Sequence, residues 1–294
     1  MGWLSTLELI LLAALWGASF LFMREGAPQF GPIALIALRT GVAALFLLPI
    51  LLISRQQRHI FSRWRPILIV GLTNTAIPFC LFSYTTLSLA AGVTSILNAT
   101  APMFAAIIAF VWLKQKLTSV AMFGLLVGFG GVFVLTAGKE GGMGQVEWLP
   151  ILAALGATCL YGFAANYTKA ALAGTPSLAI ATGSQIYSAL ALAPLAWLTW
   201  PVQTPQSSAW GQVLALGVAC TGLAYILYFH LIEKVGVGNS ITVAYLVPLF
   251  GVLWGALFLD ETLHLSMFVG GGMILLGVAL TTGLVGKLRR PVKP

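Results

Sequence analysis

Residues Gly92 to Leu113 read GVTSILNATAPMFAAIIAFVWL, an apolar run long enough to cross a bilayer, with one proline, Pro102, near its middle. Adding 146 to each number gives Gly238 to Leu259, GNSITVAYLVPLFGVLWGALFL, where Gly92 meets Gly238, Pro102 meets Pro248, Phe104 meets Phe250 and Leu113 meets Leu259. The same offset aligns Trp64 with Trp210, Gly71 with Gly217, Thr75 with Thr221, Gly124 with Gly270, Gly131 with Gly277 and Thr136 with Thr282. With an offset of 145, Trp16-Gly17 falls on Tyr161-Gly162 and Arg24 on Lys169. A single match carries little, but this series marks a duplicated membrane unit covering nearly the whole chain.

Composition sets the solvent. Over 294 residues, 59% hydrophobic and 7% charged, with a mean hydropathy of +0.98, the chain has too little polar surface to coat a water-soluble globule. The apolar runs are continuous and about twenty residues long, rather than ten-residue alternating segments, which excludes a β-barrel and points to α-helices throughout. Hydropathy and breaks at charges, Pro and Gly predict ten helices, over 5–23, 30–53, 65–88, 91–113, 117–137, 148–169, 177–200, 209–232, 238–259 and 264–286. Residues 1–23 read as a retained first span rather than a cleaved leader, because the apolar run is long and lacks a basic n-region.

The expected organisation is two five-helix repeats, 1–137 and 148–294, joined by the loop 138–147. Five is odd, so two copies of one fold insert with opposite topology. With the N-terminus inside, twelve of the fifteen Lys and Arg lie on cytoplasmic segments, Arg24 and Lys139 lie outside, and Arg39 lies within a helix. Lys114-Gln115-Lys116 in the first copy becomes Asp260-Glu261-Thr262 in the second, the exchange that inversion requires. Both termini are therefore expected in the cytoplasm, and the net charge of +8 is a topology signal rather than a sign of nucleic acid. Cys80, Cys159 and Cys220 all fall within predicted spans, so neither a disulfide nor a metal site is expected.

In combination, Trp16-Gly17-Ala18-Ser19-Phe20, Leu38-Arg39, the mid-helix Pro102 and Pro248, the run Phe258-Leu259-Asp260-Glu261-Thr262-Leu263 and the glycine-rich fifth and tenth helices resemble the drug/metabolite transporter superfamily. The resemblance is to its EamA-type ten-helix members, with amino-acid exporters, including the YddG type associated with aromatic amino acids, of similar length. It implies an alternating-access carrier in a bacterial inner membrane, with a central cavity between helices one to four and six to nine.

Within that frame, helix four carries Ser95, Asn98, Ala99 and Pro102 on one stripe, expected to face inward because polar groups facing lipid are costly. Pro102 lacks the N–H that would bond the Asn98 carbonyl, leaving an acceptor suited to an ammonium group. Pro102 and Pro248 are read either as packing kinks or as a symmetric pair of hinges. Helix nine offers Thr242 and Tyr245 on the matching face. Trp16 and Phe20 on helix one and Tyr161 on helix six are candidates for stacking on a planar cargo, against the plainer reading that aromatics fill bundle interiors.

Arg39 is the costliest residue, since a positive charge at mid-span costs about 2.5–3.5 kcal/mol on insertion scales. All seven carboxylates lie near membrane faces, so two readings stay open: a snorkelling or carbonyl-capped Arg39 that fixes helices, or one that binds a substrate carboxylate. Asn74, Asn166 and Gln185 complete the candidate contacts. Gly124 with Gly128, and Gly251 with Gly255, permit close helix packing within a monomer, with a homodimer as the alternative.

The sequence contains no G-x-x-x-x-G-K-[ST] loop for direct ATP drive and shows no catalytic constellation, so a carrier without cofactor is expected, not an enzyme. The expected function is export of small metabolites, amino acids including aromatic ones, by alternating access. The absence of a mid-membrane carboxylate favours a facilitator. The alternative is a proton-coupled exporter of another small solute, a drug, sugar or nucleoside.

Overall fold

The computed structural model describes residues 2–137, 148–240 and 242–283, apart from the side chains of Val237 and Gly238. The joining loop 138–147 and the basic tail beyond Gly283 lie outside the described residues. The described chain is all-helical, a polytopic membrane protein with eight helices long and apolar enough to cross a bilayer, α1 Trp3–Phe30, α2 Pro32–Ile53, α3 Trp64–Ser88, α4 Ala91–Val111, α5 Ser119–Ala137, α6 Trp148–Ala171, α7 Ser177–Leu198 and α8 Ser207–Val235, and two shorter apolar ones, α9 Val243–Phe258 and α10 Leu265–Thr281. Helices are the natural answer here, because every backbone N–H and C=O must be satisfied without water.

The helix boundaries differ from expectation where charges end a hydropathy window without ending a helix. α1 continues seven residues past Met23, since Arg24 donates to the Thr86 carbonyl and Glu25 accepts from the Gln212 amide at 2.6 Å. A short helix, Gln57–Ser62, precedes α3. α3 and α8 each contain a π-helical stretch, Leu72–Ala76 and Ala215–Leu223, at equivalent places in the two repeats. π-bulges of this kind recur at functional sites. α4 is interrupted at Ala99-Thr100, whose N–H groups turn back to Ile96 and Leu97 at 3.1 Å each. α9 runs unbroken through Pro248.

The repeat is visible in packing as well as in sequence. A Cβ built on Gly17 of α1 would lie 2.6 Å from Phe250 Cβ of α9, and one on Gly162 of α6 would lie 2.6 Å from the Ala105 nitrogen of α4, which is the mated contact. Likewise, a Cβ on Gly71 would approach the Ser184 carbonyl at 2.9 Å, and one on Gly217 the Arg39 carbonyl at 3.0 Å. α5 and α10 meet along a reciprocal glycine seam. A Cβ on Gly124 would stand 2.8 Å from the Gly277 carbonyl and one on Gly277 2.6 Å from the Gly124 carbonyl, with Gly131 and Gly270 repeating the exchange at 2.6 and 2.7 Å. The small-residue faces predicted on helices five and nine are thus turned to helices of the same chain, α10 and α4.

Candidate functional site

A cavity of about 330 Å³ lies at the centre of the bundle, lined from α1, α2, α3, α4, α6, α8 and α9. Both irregular π stretches and the α4 break reach it, through Asn74, Cys220, Thr221 and Asn98–Ala99. Departures from the α-helix are tolerated in a membrane where they line a cavity rather than face lipid.

The aromatic frame obeys the repeat. Trp16 packs on Tyr228 with ring centroids 5.3 Å apart, and its mate Tyr161 packs on Phe82, the mate of Tyr228, at 5.8 Å. Each pair joins one repeat to the other. Phe79 and Tyr225, also mates, line the wall between them. Phe20 lies edge-on to Phe82 at 5.7 Å. Phe20, Phe82 and Met23, on the side where α4 begins, are buried, while Trp16, Asn74, Phe79, Asn98, Tyr161, Tyr225, Tyr228 and Ala244 are half-buried.

Among the described residues, Arg39 is the only charged one in the lining. It is 3% exposed. Its Nε donates to Thr221 Oγ1 at 3.0 Å, Nη2 to Ser19 Oγ at 3.5 Å and Nη1 to Met23 S at 3.8 Å, and the guanidinium lies 3.9 Å from the centre of the Phe79 ring. These partners are side chains of α8, α1 and α3, with no backbone carbonyl among them in the described residues. A guanidinium carries five N–H donors in a planar fork. Here one has a neutral acceptor at good distance and two have long, weak ones, with no carboxylate in the lining.

Of the sequence candidates, the structure brings Trp16, Phe20, Arg39, Asn74, Asn98, Pro102 and Tyr161 together around the cavity. The side chains of Asn74 and Asn98 make no hydrogen bond among the described residues and are free to meet a ligand. Pro102 gives the Asn98 carbonyl no donor, and the Met103 N–H turns to Thr100 at 2.9 Å instead.

The others are placed elsewhere. Ser95 does not share the inward face with Asn98: it is buried against α9, donating to the Gly92 carbonyl at 2.7 Å and toward Pro248 O at 3.4 Å, in the room left by the missing side chain of Gly251. Pro248 is buried in that same contact and outside the lining. Asn166 donates to the Ala105 and Gly162 carbonyls at 2.9 Å each, fixing α6 to α4. Thr242 is bonded to the Asn239 carbonyl at 2.6 Å and Tyr245 to Thr282 at 3.1 Å. Gln185, the repeat mate of Arg39, is fully buried with both amide atoms unpartnered and does not reach the cavity. Sequence reasoning passed over Phe79, Phe82 and Cys220. The offset of 146 was the available signal, since it pairs Phe79 with Tyr225, Phe82 with Tyr228 and Cys220 with Asn74.

At the end where α4 begins, Glu261 in the α9–α10 connection accepts from the Ala91 and Gly92 N–H groups at 2.6 and 3.1 Å, capping α4 with a carboxylate. Trp254 Nε1 donates to the Ala14 carbonyl at 3.0 Å and ties α9 to α1. At the opposite end, Glu8 on α1 bridges His230 and Lys234 on α8, each at 3.3 Å.

The EamA-like transporter family matches the chain twice, over residues 4–137 and 148–283. Among curated relatives, a probable terminal-alkyne amino-acid exporter of Streptantibioticus cattleyicolor is 26% identical over 92% of this chain and 91% of its own. The uncharacterised inner membrane transporter YedA of Escherichia coli is 25% identical over 97% and 92%, and an uncharacterised transporter of Archaeoglobus fulgidus is 19% identical over 92% and 95%. One solved crystal structure superposes with a TM-score of 0.69 at 18% identity, over 97% of this chain and 99% of that one, a likeness of fold.

Proposed function

Because the chain belongs to the EamA-like transporter family, we propose that it is an inner-membrane facilitator that exports small metabolites, namely amino acids including aromatic ones, by alternating access. The observation that carries the cargo is Arg39: a buried guanidinium with an under-filled donor fork, in an aromatic-walled cavity whose lining holds no acid. A carboxylate is the acceptor that such a fork fits. Asn74, Asn98 and the Asn98 carbonyl supply acceptors for the ammonium group, and the paired rings accept an apolar or planar side chain by stacking. The amino-acid exporter among the relatives supports this cargo class, and YedA the inner membrane.

Coupling follows from the same census. With no carboxylate in the lining to relay protons, net flux follows the cargo gradient. The excess of Lys and Arg on segments assigned to the cytoplasm supports cytoplasmic termini. In that orientation the buried layer of Phe20, Met23 and Phe82 lies outward and the half-buried Tyr225, Tyr228 and Ala244 inward, so the conformation is read as inward-open.

The test is counterflow in proteoliposomes with labelled phenylalanine or tryptophan, against sugars, nucleosides and cationic drugs. Exchange of aromatic amino acids that ignores an imposed pH gradient supports the proposal. Exchange of a non-carboxylate cargo at equal rate, or strict dependence on a pH gradient, sinks it.

A further inference from the structure

The connection between α2 and α3 carries a feature that neither the repeat nor the cavity requires. Arg55, Arg58, Arg63 and Arg65 fall within eleven residues, all exposed, with His59 among them and no acidic residue in the segment. Its repeat mate, Pro201–Gly211, is uncharged. Topology alone asks for positive charge and is indifferent to its type, and the other Lys and Arg assigned to this face between Lys114 and Lys234 are all lysine. Here all four are arginine, whose planar fork grips phosphate oxygens in pairs where lysine offers a point charge.

The segment is also held in place. Ile60 is 5% exposed and packs with Leu51 and Ala179, and Tyr187 of α7 donates to the Ile60 carbonyl at 3.2 Å. That anchor turns the rest of the short helix Gln57–Ser62 outward, where Phe61 is 74% exposed and Ile53 at the end of α2 is 83% exposed. The Arg65 guanidinium sits 5.2 Å from the Trp64 ring. None of the four arginines is in an ion pair or side-chain hydrogen bond among the described residues. Exposed rings and aliphatic groups interleaved with unpaired guanidinium groups match an amphiphile that presents phosphate above acyl chains.

From this we infer that the α2–α3 connection is a docking site for anionic phospholipid headgroups, of the phosphatidylglycerol class, in the leaflet it faces. The lipid, rather than free phosphate, is the occupant because the exposed apolar side chains of Ile53, Phe61 and Trp64 flank the arginines. Since the segment is fastened to α7 through Ile60 and Tyr187, headgroup binding stiffens α2 against α7. The inference is independent of the cargo.

The test is a thermal-melt titration of the full-length protein in neutral detergent with phosphatidylglycerol, phosphatidylcholine or inorganic phosphate. Phosphatidylglycerol is expected to raise the melting temperature saturably, with the other two inert. Replacing Arg58, Arg63 and Arg65 with Gln is expected to raise the half-saturating lipid concentration about tenfold or more, since each basic residue near an anionic surface contributes about 1 kcal/mol. Replacing Lys114, Lys116 and Lys169 with Gln removes the same charge and is expected to change it less than about threefold, within one such contribution. Equal loss in the two variants reduces the effect to diffuse charge and overturns the site, and an equal shift from inorganic phosphate overturns the lipid assignment. An Arg→Lys triple at 58, 63 and 65 keeps the charge. Weaker binding there supports the fork, and unchanged binding overturns it.

Discussion

The two walls of the cavity come from the two copies of the repeat and differ most in their polar residues. Six of the seven aromatic lining residues remain mated, Trp16 with Tyr161, Phe79 with Tyr225 and Phe82 with Tyr228, while Phe20 falls on Ala165. The polar residues do not remain mated. The first repeat supplies Arg39, Asn74 and Asn98, whereas the second places buried Gln185 outside the lining and sets Cys220 and Ala244 against the two asparagines. A two-fold frame can open to either face, but a one-sided set of polar groups holds a polar ligand in one orientation. In the proposed carrier, the frame serves the motion and the asymmetry serves recognition.

The sharpest break of that division lies in the symmetric scaffold. Gly131→Leu, at a seam with no room for a Cβ, is expected to destabilise the fold by about 3 kcal/mol or more and to cut the monodisperse fraction in size-exclusion chromatography. Gly272→Ala on the same helix pair meets nothing within 4 Å and is expected to leave that fraction unchanged. Next in size, Arg39→Gln should weaken amino-acid binding about 10- to 100-fold, the equivalent of a charged hydrogen bond worth about 1.5–3 kcal/mol, with folded yield retained. Its mate gives the opposite sign. Gln185→Leu removes a buried amide without partners and is expected to raise the melting temperature while leaving transport intact. Loss of transport in Gln185→Leu would place recognition in both repeats.

Smaller effects sharpen the comparison at the ends of the bundle. Glu261→Gln keeps an acceptor for the α4 N-terminus but loses the charge facing its dipole, a cost of about 1 kcal/mol read as a lower melting temperature. Smallest, Pro102→Ala restores an N–H for the Asn98 carbonyl and should slow counterflow a few-fold, more than Pro248→Ala, because only Pro102 lines the cavity and only α4 is interrupted.

How legible this was in the sequence depended on periodicity. The ten apolar helices, the repeat and the inverted order follow from spacing, and the aromatic frame follows from the same offset. The polar residues were harder to place, because an Asn or Ser at mid-depth reads alike whether it meets a ligand or a neighbouring carbonyl. Asn98 and Asn166 illustrate it: one lines the cavity, and the other is spent on Ala105 and Gly162. Ser95 and Asn98 lie three residues apart on a nominal helix face, yet the close approach of α9 over Gly251 takes up the first. The π stretches were not legible in the hydropathy pattern, which continues through them without a break.

The α5–α10 seam has a thermodynamic consequence. Exchanging the roles of the two repeats carries Gly124 onto Gly270 and Gly131 onto Gly277, so this pair of helices maps onto itself. The reciprocal glycine contacts of the seam are therefore kept when the two repeats exchange roles, and in the proposed carrier they favour neither opening. Any bias has to come from residues without an equivalent mate, such as Glu261, whose counterpart is Gln115, or Glu8, whose counterpart is Ala153. A reporter placed along the seam would sense folding and remain silent to turnover.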